Sequence, residues 1–273
     1  MQSKLILYFT VIAFTAFIFR LFLAFNLNLF TVYNDLNTFH AWGINLAENG
    51  FRTFYAGWSD YLPGYLYILW GLALFEKWLL SISLSINWEI LYKMPSILAD
   101  LGNSLFIFLI AQKFISTRKA LITSMFFIFN PAFFANSTLW GQADSFMTLF
   151  LLSSYYFLLE KKFWISVILL SLGQLMKPIA LFSLPIYLLY MLTKKTSVIR
   201  MISFFMIITI IIVVAFIPFN YTDSLFNFII SRHHISANQY PYTSLNAFNF
   251  WSLVTKFWEP DNIIFLGIPY SFW

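Results

Sequence analysis

The sequence has no cysteine and few charges. Its 273 residues include 16 Lys and Arg and 11 Asp and Glu, so that charged side chains make up 10% of the chain. The absence of cysteine excludes disulfide frameworks, thiolate metal sites and cysteine nucleophiles. A soluble domain carries about 25% charged residues, so the scarcity of charge excludes an ordinary soluble fold. Disordered, collagen-like and coiled-coil chains are excluded on the same composition. There is no glycine-rich phosphate loop, no internal repeat and no low-complexity tract. What the chain has in abundance is apolar surface: 60% hydrophobic and 22% aromatic residues, with a mean hydropathy of +0.77. Long apolar runs recur along its length, which is the pattern of an all-α polytopic membrane protein. The net charge of +5 is small. The basic residues sit in short clusters between the runs, a placement that sets topology and does not call for nucleic acid as a partner.

The first run, 5–25, follows Lys4 and carries Arg20 near its far end, where the side chain is expected to snorkel to the interface. It is too long for a signal-peptide core and no small-residue cleavage site follows it. Further runs lie at 90–115, 120–135, 145–159, 163–176, 179–192 and 198–219. A shorter one, 62–75, has about fourteen residues where roughly twenty are needed to span. If it crossed, Lys113, Arg118 and Lys119, then Lys161 and Lys162, then Lys194, Lys195 and Arg200 would all fall outside. If it does not cross, all of them fall inside together with Lys4, as the positive-inside rule prefers. The expected arrangement is therefore a single transmembrane domain over 1–273 with about seven spans. A first extracytoplasmic loop, 26–89, carries interfacial or re-entrant helices, and a late one covers 220–260. Asp35, Glu48, Asp60, Glu76, Glu89, Asp144 and Asp223 then share the outer side, where a one-sided polar site is expected.

Several residues are candidates for chemistry. Asp35, directly after the first span, is either the cap of an amphipathic helix through 38–49 or a carboxylate base at the membrane–water boundary. His40, five residues on, is a positioning candidate. Asp60 precedes Pro63 at the start of the short run and is either its cap or a substrate contact. Asp100 lies inside the span 90–115 and needs an internal partner such as Asn103 or Ser104. In the stretch 136–145, Trp140 suits an aromatic belt, while Gln142 and Asp144 divide between capping and a site. Lys177-Pro178 interrupts an apolar stretch on the side opposite the other basic clusters, which points to an anion such as phosphate. Arg232-His233-His234 offers three adjacent donors for the same purpose. No metal-ligand spacing accompanies them, so no metal and no cofactor is expected. A carboxylate base, cations for a phosphate and a cavity among spans make a lipid-phosphate sugar a natural substrate.

These residues resemble a known family. Asn34-Asp35-Leu36-Asn37-Thr38-Phe39, Asp60-Tyr61-Leu62-Pro63-Gly64-Tyr65-Leu66-Tyr67, Trp140-Gly141-Gln142-Ala143-Asp144-Ser145, Lys177-Pro178 and Tyr240-Pro241-Tyr242-Thr243-Ser244-Leu245-Asn246-Ala247-Phe248-Asn249 match, in order, bacterial membrane glycosyltransferases of the GT-C class. The nearest group looks like the bacterial relatives of the second mannosyltransferase of GPI-anchor assembly, and dolichyl-phosphate-glucose glucosyltransferases are more distant kin. The resemblance implies an inverting transfer of a sugar, a hexose such as mannose, from a polyprenyl-phosphate donor. The acceptor would be a glycan, lipid or protein at the extracytoplasmic face of a bacterial plasma membrane. It also implies that Asp35 is the catalytic base and that Arg232, His233 or His234 contacts the donor phosphate, with Lys177 as a further candidate. Gln142 and Asp144 match a family motif with no role assigned by the resemblance, and with His40 and Asp60 they are the candidate substrate contacts. The family usually has a double proline where this chain has Leu62-Pro63. Its members continue past the point where this chain reaches Trp273, so a chain truncated at the C-terminus is expected. The competing readings are a transporter or lipid flippase and an inactive fragment of a glycosyltransferase.

Overall fold

A computed structural model of the chain describes residues 2–27, 33–245 and 250–272. The last four residues of the motif ending at Asn249 lie outside them. The fold divides into two compact units, Met1–Leu225 and Phe226–Trp273.

The first unit is helical. Its elements are α1 (Gln2–Asn26), α2 (Tyr33–Asn49), α3 (Pro63–Ser81), α4 (Trp88–Ala111), α5 (Thr117–Ile128), α6 (Pro131–Phe134), α7 (Asp144–Leu159), α8 (Phe163–Met176), α9 (Leu184–Thr193) and α10 (Val198–Phe216). Three stretches are long and apolar enough to cross a membrane: Ile6–Asn26, Trp88–Ala111 and Val198–Phe219. α5 and the helix Pro131–Trp140 that follows form a further apolar pair bent by 44°. The bend falls where Asn130 caps the second helix and Pro131 opens it. The chain is thus an integral membrane protein, and its surface is inverted relative to a soluble one. Ile6, Phe14 and Phe22 of α1 point outward while Ala16, Arg20 and Ala24 point in.

That inversion accounts for Arg20. The guanidinium does not snorkel. At one helical turn from Ala16 and Ala24 it belongs to the packed face of α1, and it is fully buried. It donates to Asp100 Oδ2 of α4 at 2.9 Å and to the carbonyl of Ile128 at the end of α5 at 2.7 Å. Asp100 therefore takes its partner from another helix, and not from Asn103 or Ser104. Those two residues serve other joints. Asn103 donates to the carbonyl of Ser145, and Ser104 bonds Ser124 of α5.

α7 and α8 pack antiparallel, and with α9 and α10 they enclose Leu158, Phe163, Val167, Leu170, Tyr187, Met191, Phe204 and Ile208. Ser154 and Ser166 let the α7 and α8 backbones approach and hydrogen-bond each other's carbonyls. The apolar run 62–75 is only part of a longer helix. α3 extends to Ser81 because Glu76 and Lys77 find partners on α2, His40 at 3.0 Å and Glu48 at 3.2 Å. Beyond α10, Phe219 is buried among Phe51, Phe54, Tyr55 and Tyr67 and ties the end of that span to the α2–α3 segment.

The second unit holds α11 (Leu225–Asn238, which begins at the unit boundary), α12 (Phe250–Val254) and a small antiparallel hairpin, β1 (Ile264–Phe265) and β2 (Ile268–Pro269). Leu266 and Gly267 both have positive φ, 51° and 84°, as a two-residue hairpin turn requires. The stretch 220–260 holds α11 and α12, and the hairpin beyond it, at 264–269, is a small departure from an all-α chain.

The buried ion pair yields a stability prediction. Removing one member of such a pair costs about 3–5 kcal/mol, whereas replacing both with apolar residues of similar size is close to neutral. Arg20→Met should therefore lower the midpoint of thermal unfolding in detergent sharply, and Arg20→Met/Asp100→Leu should recover most of the loss. A double variant no more stable than the single one would show that the pair is not what holds α1 to α4.

Candidate functional site

Three irregularities of the backbone meet at one end of the first unit. The first follows α6. Residues Ala135–Trp140 continue it as a π-helix, a form that proteins tolerate mainly at functional positions. The stretch after Asn136 is thus helical as far as Trp140. The second is Gly141, with φ +78°. A Cβ there would be strained and would meet Leu36 Cδ1 at 3.1 Å and Lys93 Cγ at 3.2 Å. The third is Lys177. Pro178 forbids helical backbone before it, so Lys177 is extended (φ −147°, ψ 134°) and α8 ends at Met176.

Asp35 lies within the first turn of α2 and caps nothing. Its Oδ2 accepts from Trp140 Nε1 at 2.8 Å and from Gln142 Nε2 at 2.7 Å. Both donors come from across the fold, so the carboxylate plane is fixed, and among the described residues Oδ1 takes no hydrogen bond. Trp140 is therefore a ligand of this carboxylate and does more than sit in an aromatic belt. Gln142 is buried and bridges onward, its Oε1 accepting from Tyr61 Oη at 3.2 Å. Burial first, then the neighbouring Tyr65, Asp144, Asp60 and Asp35, pushes the Tyr61 phenol well above its ordinary pKa. Tyr61 is thus a donor at neutral pH. A donor on one side and a carboxylate on the other leave the Gln142 amide one satisfactory orientation. Phe39, Trp42 and Tyr65 pack around the Tyr61 ring and hold it in place.

Lys177 Nζ lies 5.9 Å from the centroid of the same ring and pairs with Asp144 Oδ1 at 2.6 Å. Asp144 opens α7 but does not cap it, because Ala143 occupies the cap position. Its other oxygen accepts from Asn136 Nδ2 of the π-helix at 3.3 Å. Asp35, Gln142, Asp144 and Lys177 are therefore brought together, and Tyr61, Trp140 and Asn136 join them.

Lys93 is the residue that sequence reading missed. It lies in α4, inside an apolar span, and is 5% exposed. No hydrogen bond or ion pair joins its ammonium group to another described residue. Its stem lies against Gly141, between the two residues that hold Asp35, and Ser96, one turn on, donates to the Gln142 carbonyl at 2.8 Å. The signal was available. Lys93, Ser96, Asp100, Asn103 and Ser104 recur at helical spacing and are all buried, so they form one polar stripe on an otherwise apolar helix.

Of the remaining candidates in the first unit, Asp60 is close enough to act on Tyr61 and His40 belongs to another joint. His40 stacks on Trp88 with centroids 4.5 Å apart and pairs with Glu76, which assigns it to the joint of α2, α3 and α4. Asp60 is in the link before α3, whose cap position is Leu62, so it does not cap that helix. Arg232, His233 and His234 lie on α11 in the second unit. Successive helical residues point about 100° apart, so the three do not form one cluster of donors. His233 Nδ1 is 2.8 Å from the carbonyl of Ile229, and Arg232 lies over the Phe228 ring. Among the described residues no group of three or more His, Asp or Glu is placed to hold a metal.

The site depends on a close approach of α3 to α8. A Cβ on Gly64 would come within 2.6 Å of the Leu175 carbonyl oxygen, a backbone atom, so the two helix ends would have to part. Gly64→Ala should therefore cost about 1–3 kcal/mol in unfolding free energy and loosen the Tyr61–Gln142 contact. Gly71→Ala, where a Cβ meets nothing within 4 Å, is the control. Equal stability of the two variants would refute this role for Gly64.

Compared with known proteins, residues 71–221 match the profile of the family described as dolichyl-phosphate-mannose-protein mannosyltransferase. The matched stretch includes Lys93, Trp140, Gln142, Asp144 and Lys177, while Asp35 and Tyr61 precede it. No curated protein and no solved structure matches the chain.

Proposed function

The chain belongs to the dolichyl-phosphate-mannose-protein mannosyltransferase family and is a membrane glycosyltransferase, and from that premise we propose that it moves a sugar from a polyprenyl-phosphate donor to an acceptor hydroxyl by a single inverting displacement, with Asp35 as general base. The observation that carries this reading is the carboxylate of Asp35. One of its oxygens is pinned by Trp140 and Gln142, and the other is open to a proton. The transporter alternative has no comparable support, since the family is one of transferases.

In the proposed step the acceptor oxygen attacks the anomeric carbon from the face opposite the phosphate. The new C–O bond forms as the anomeric C–O bond to phosphate breaks. The hydroxyl proton passes to Asp35, and the polyprenyl phosphate departs with the bonding electron pair. No covalent enzyme intermediate is needed.

Lys93 is assigned to the donor phosphate. A cation inside a membrane span is costly, and it is retained where it faces a counter-charge. Among the described residues Lys93 has none within ion-pair distance, so a bound phosphate supplies one. Lys177 already has its counter-charge in Asp144. It is assigned to positioning Tyr61 and Asp144, and contributes to the phosphate field at second hand. Arg232, His233 and His234 remain phosphate candidates of the second unit, and His40 and Asp60 remain candidate substrate contacts of the first.

The topology is proposed on the same footing. The three long apolar helices, the bent pair and the three shorter helices Asp144–Leu159, Phe163–Met176 and Pro178–Thr193 together make the seven spans. α2 and α3 then lie in the first outer loop. Asp35, Tyr61, Gln142, Asp144 and Lys177 share the extracytoplasmic end, and every basic cluster from Lys113 to Arg200 lies at the other.

The test is sugar transfer in reconstituted membranes with a panel of radiolabelled polyprenyl-phosphate sugars. Asp35→Asn should lower turnover by about 10²-fold or more with folding intact. Lys93→Gln should weaken donor use by about 10- to 100-fold, and Lys93→Arg should restore much of it. Full activity in Asp35→Asn would refute the base assignment. Unchanged donor KM in Lys93→Gln would refute the phosphate assignment.

A further inference from the structure

At the far end of α8 from Lys177 lies a second feature, unrelated to Asp35. A cavity of about 670 Å³ opens between the α7–α8 turn and the α9–α10 turn. Lys161, Lys162, Lys194 and Arg200 line it, with Trp164 and Tyr190 as its aromatic walls. No carboxylate lines it. Glu160, next in sequence to Lys161, forms its ion pair with Lys113 and acts on Lys162 only at longer range. Among the described residues none of the four cations makes an ion pair. Lys161 has φ 61°, so the turn there is held in a left-handed conformation that presents adjacent lysines to the opening. The first residues of α8 also line the cavity, and their backbone N–H groups have no side-chain cap.

The surroundings identify the occupant. Ile165 beside the cavity, and Leu192, Val198 and Ile199 on the helices that bound it, are exposed apolar side chains. A cluster of cations directly above an apolar belt suits a molecule with an anionic head and a hydrocarbon tail. We propose that this cavity is a binding site for the phosphate headgroup of an anionic membrane lipid, at the end of the helical unit opposite the candidate active site. Free inorganic phosphate shares the head chemistry but has no use for the apolar belt. The inference rests on α8 being a membrane helix and does not depend on the chemistry at Asp35.

The test uses the full chain in detergent, with phosphatidylglycerol and phosphatidylcholine added at equal concentration and retained lipid read by native mass spectrometry. The wild-type chain should retain phosphatidylglycerol several-fold over phosphatidylcholine. Each of Lys162→Gln, Lys194→Gln and Arg200→Gln should reduce that preference by about fivefold. Arg118→Gln/Lys119→Gln, which removes two exposed cations outside the cavity, should leave it unchanged. All of these side chains are exposed, so none of the variants threatens folding. Equal retention of the two lipids by the wild-type chain, or equal losses in the cavity and control variants, would overturn the proposal. Displacement of phosphatidylglycerol by an equal concentration of inorganic phosphate would overturn the lipid assignment in favour of a soluble anion.

Discussion

The first unit is organised by one constraint: a polar side chain within an apolar slab must find its partner inside the protein. α4 carries the consequence. Its buried stripe of Lys93, Ser96, Asp100, Asn103 and Ser104 reaches a different neighbour at almost every turn. Asp100 takes Arg20 of α1, Ser104 takes Ser124 of α5, Asn103 takes the carbonyl of Ser145 on α7, and Ser96 takes the carbonyl of Gln142. Between membrane helices, hydrophobic burial does not discriminate one arrangement from another, because lipid is as apolar as leucine. These polar joints do discriminate. They fix which face of α1, α5 and α7 meets α4, and they bring the π-helix and Gln142 to the place where Asp35 waits on α2.

Much of this fold can be read from the sequence, because the code for a membrane helix is crude and strong. The apolar run 163–176 coincides with α8, and 90–115 and 198–219 mark α4 and α10 to within a few residues. The errors have a common origin. Each treated a polar residue by its own neighbourhood in the chain. Arg20 was placed at the interface because it lies toward the end of a run. Asp100 was given partners three and four residues away. Asp35, Asp60 and Asp144 were offered as helix caps. The partners of Arg20 and Asp35 lie far along the chain: 80 residues separate Arg20 from Asp100 and 107 separate Asp35 from Gln142. Periodicity shows which face of a helix is polar, but a single sequence does not show what that face meets.

The site was legible in part for the same reason. Lys177 stood out because it is polar where its surroundings are not, and Asp35, Gln142 and Asp144 because they adjoin the ends of apolar runs. Tyr61 and Trp140 did not, since aromatic residues are common along this chain. Their roles come from geometry: a buried phenol that stays protonated and an indole N–H aimed at a carboxylate. Lys93 was hidden by its position near the end of a span, where a lysine ordinarily snorkels. Its burial beside Gly141, without an ion-pair partner among the described residues, sets it apart.

The pairing of charges then bears on how the proposed reaction would run. Lys177 and Asp144 pair with each other, while Asp35 and Lys93, near Gly141, make no ion pair among the described residues. A donor phosphodiester carries one negative charge and leaves as a monoester phosphate with two. The proton taken by Asp35 removes a negative charge from one side of the glycine as the leaving group adds one on the other. The net charge of the site is unchanged by the step, while negative charge moves toward Lys93. A cation fixed there gains more from the transition state than from the bound donor, and this difference, more than affinity itself, is what accelerates a reaction. A lysine already paired, such as Lys177, has its field largely spent before the donor arrives. Glu89, one turn earlier on α4, acts on Lys93 without pairing with it, so an ammonium group with no ion pair among the described residues is as much a part of the site as Asp35.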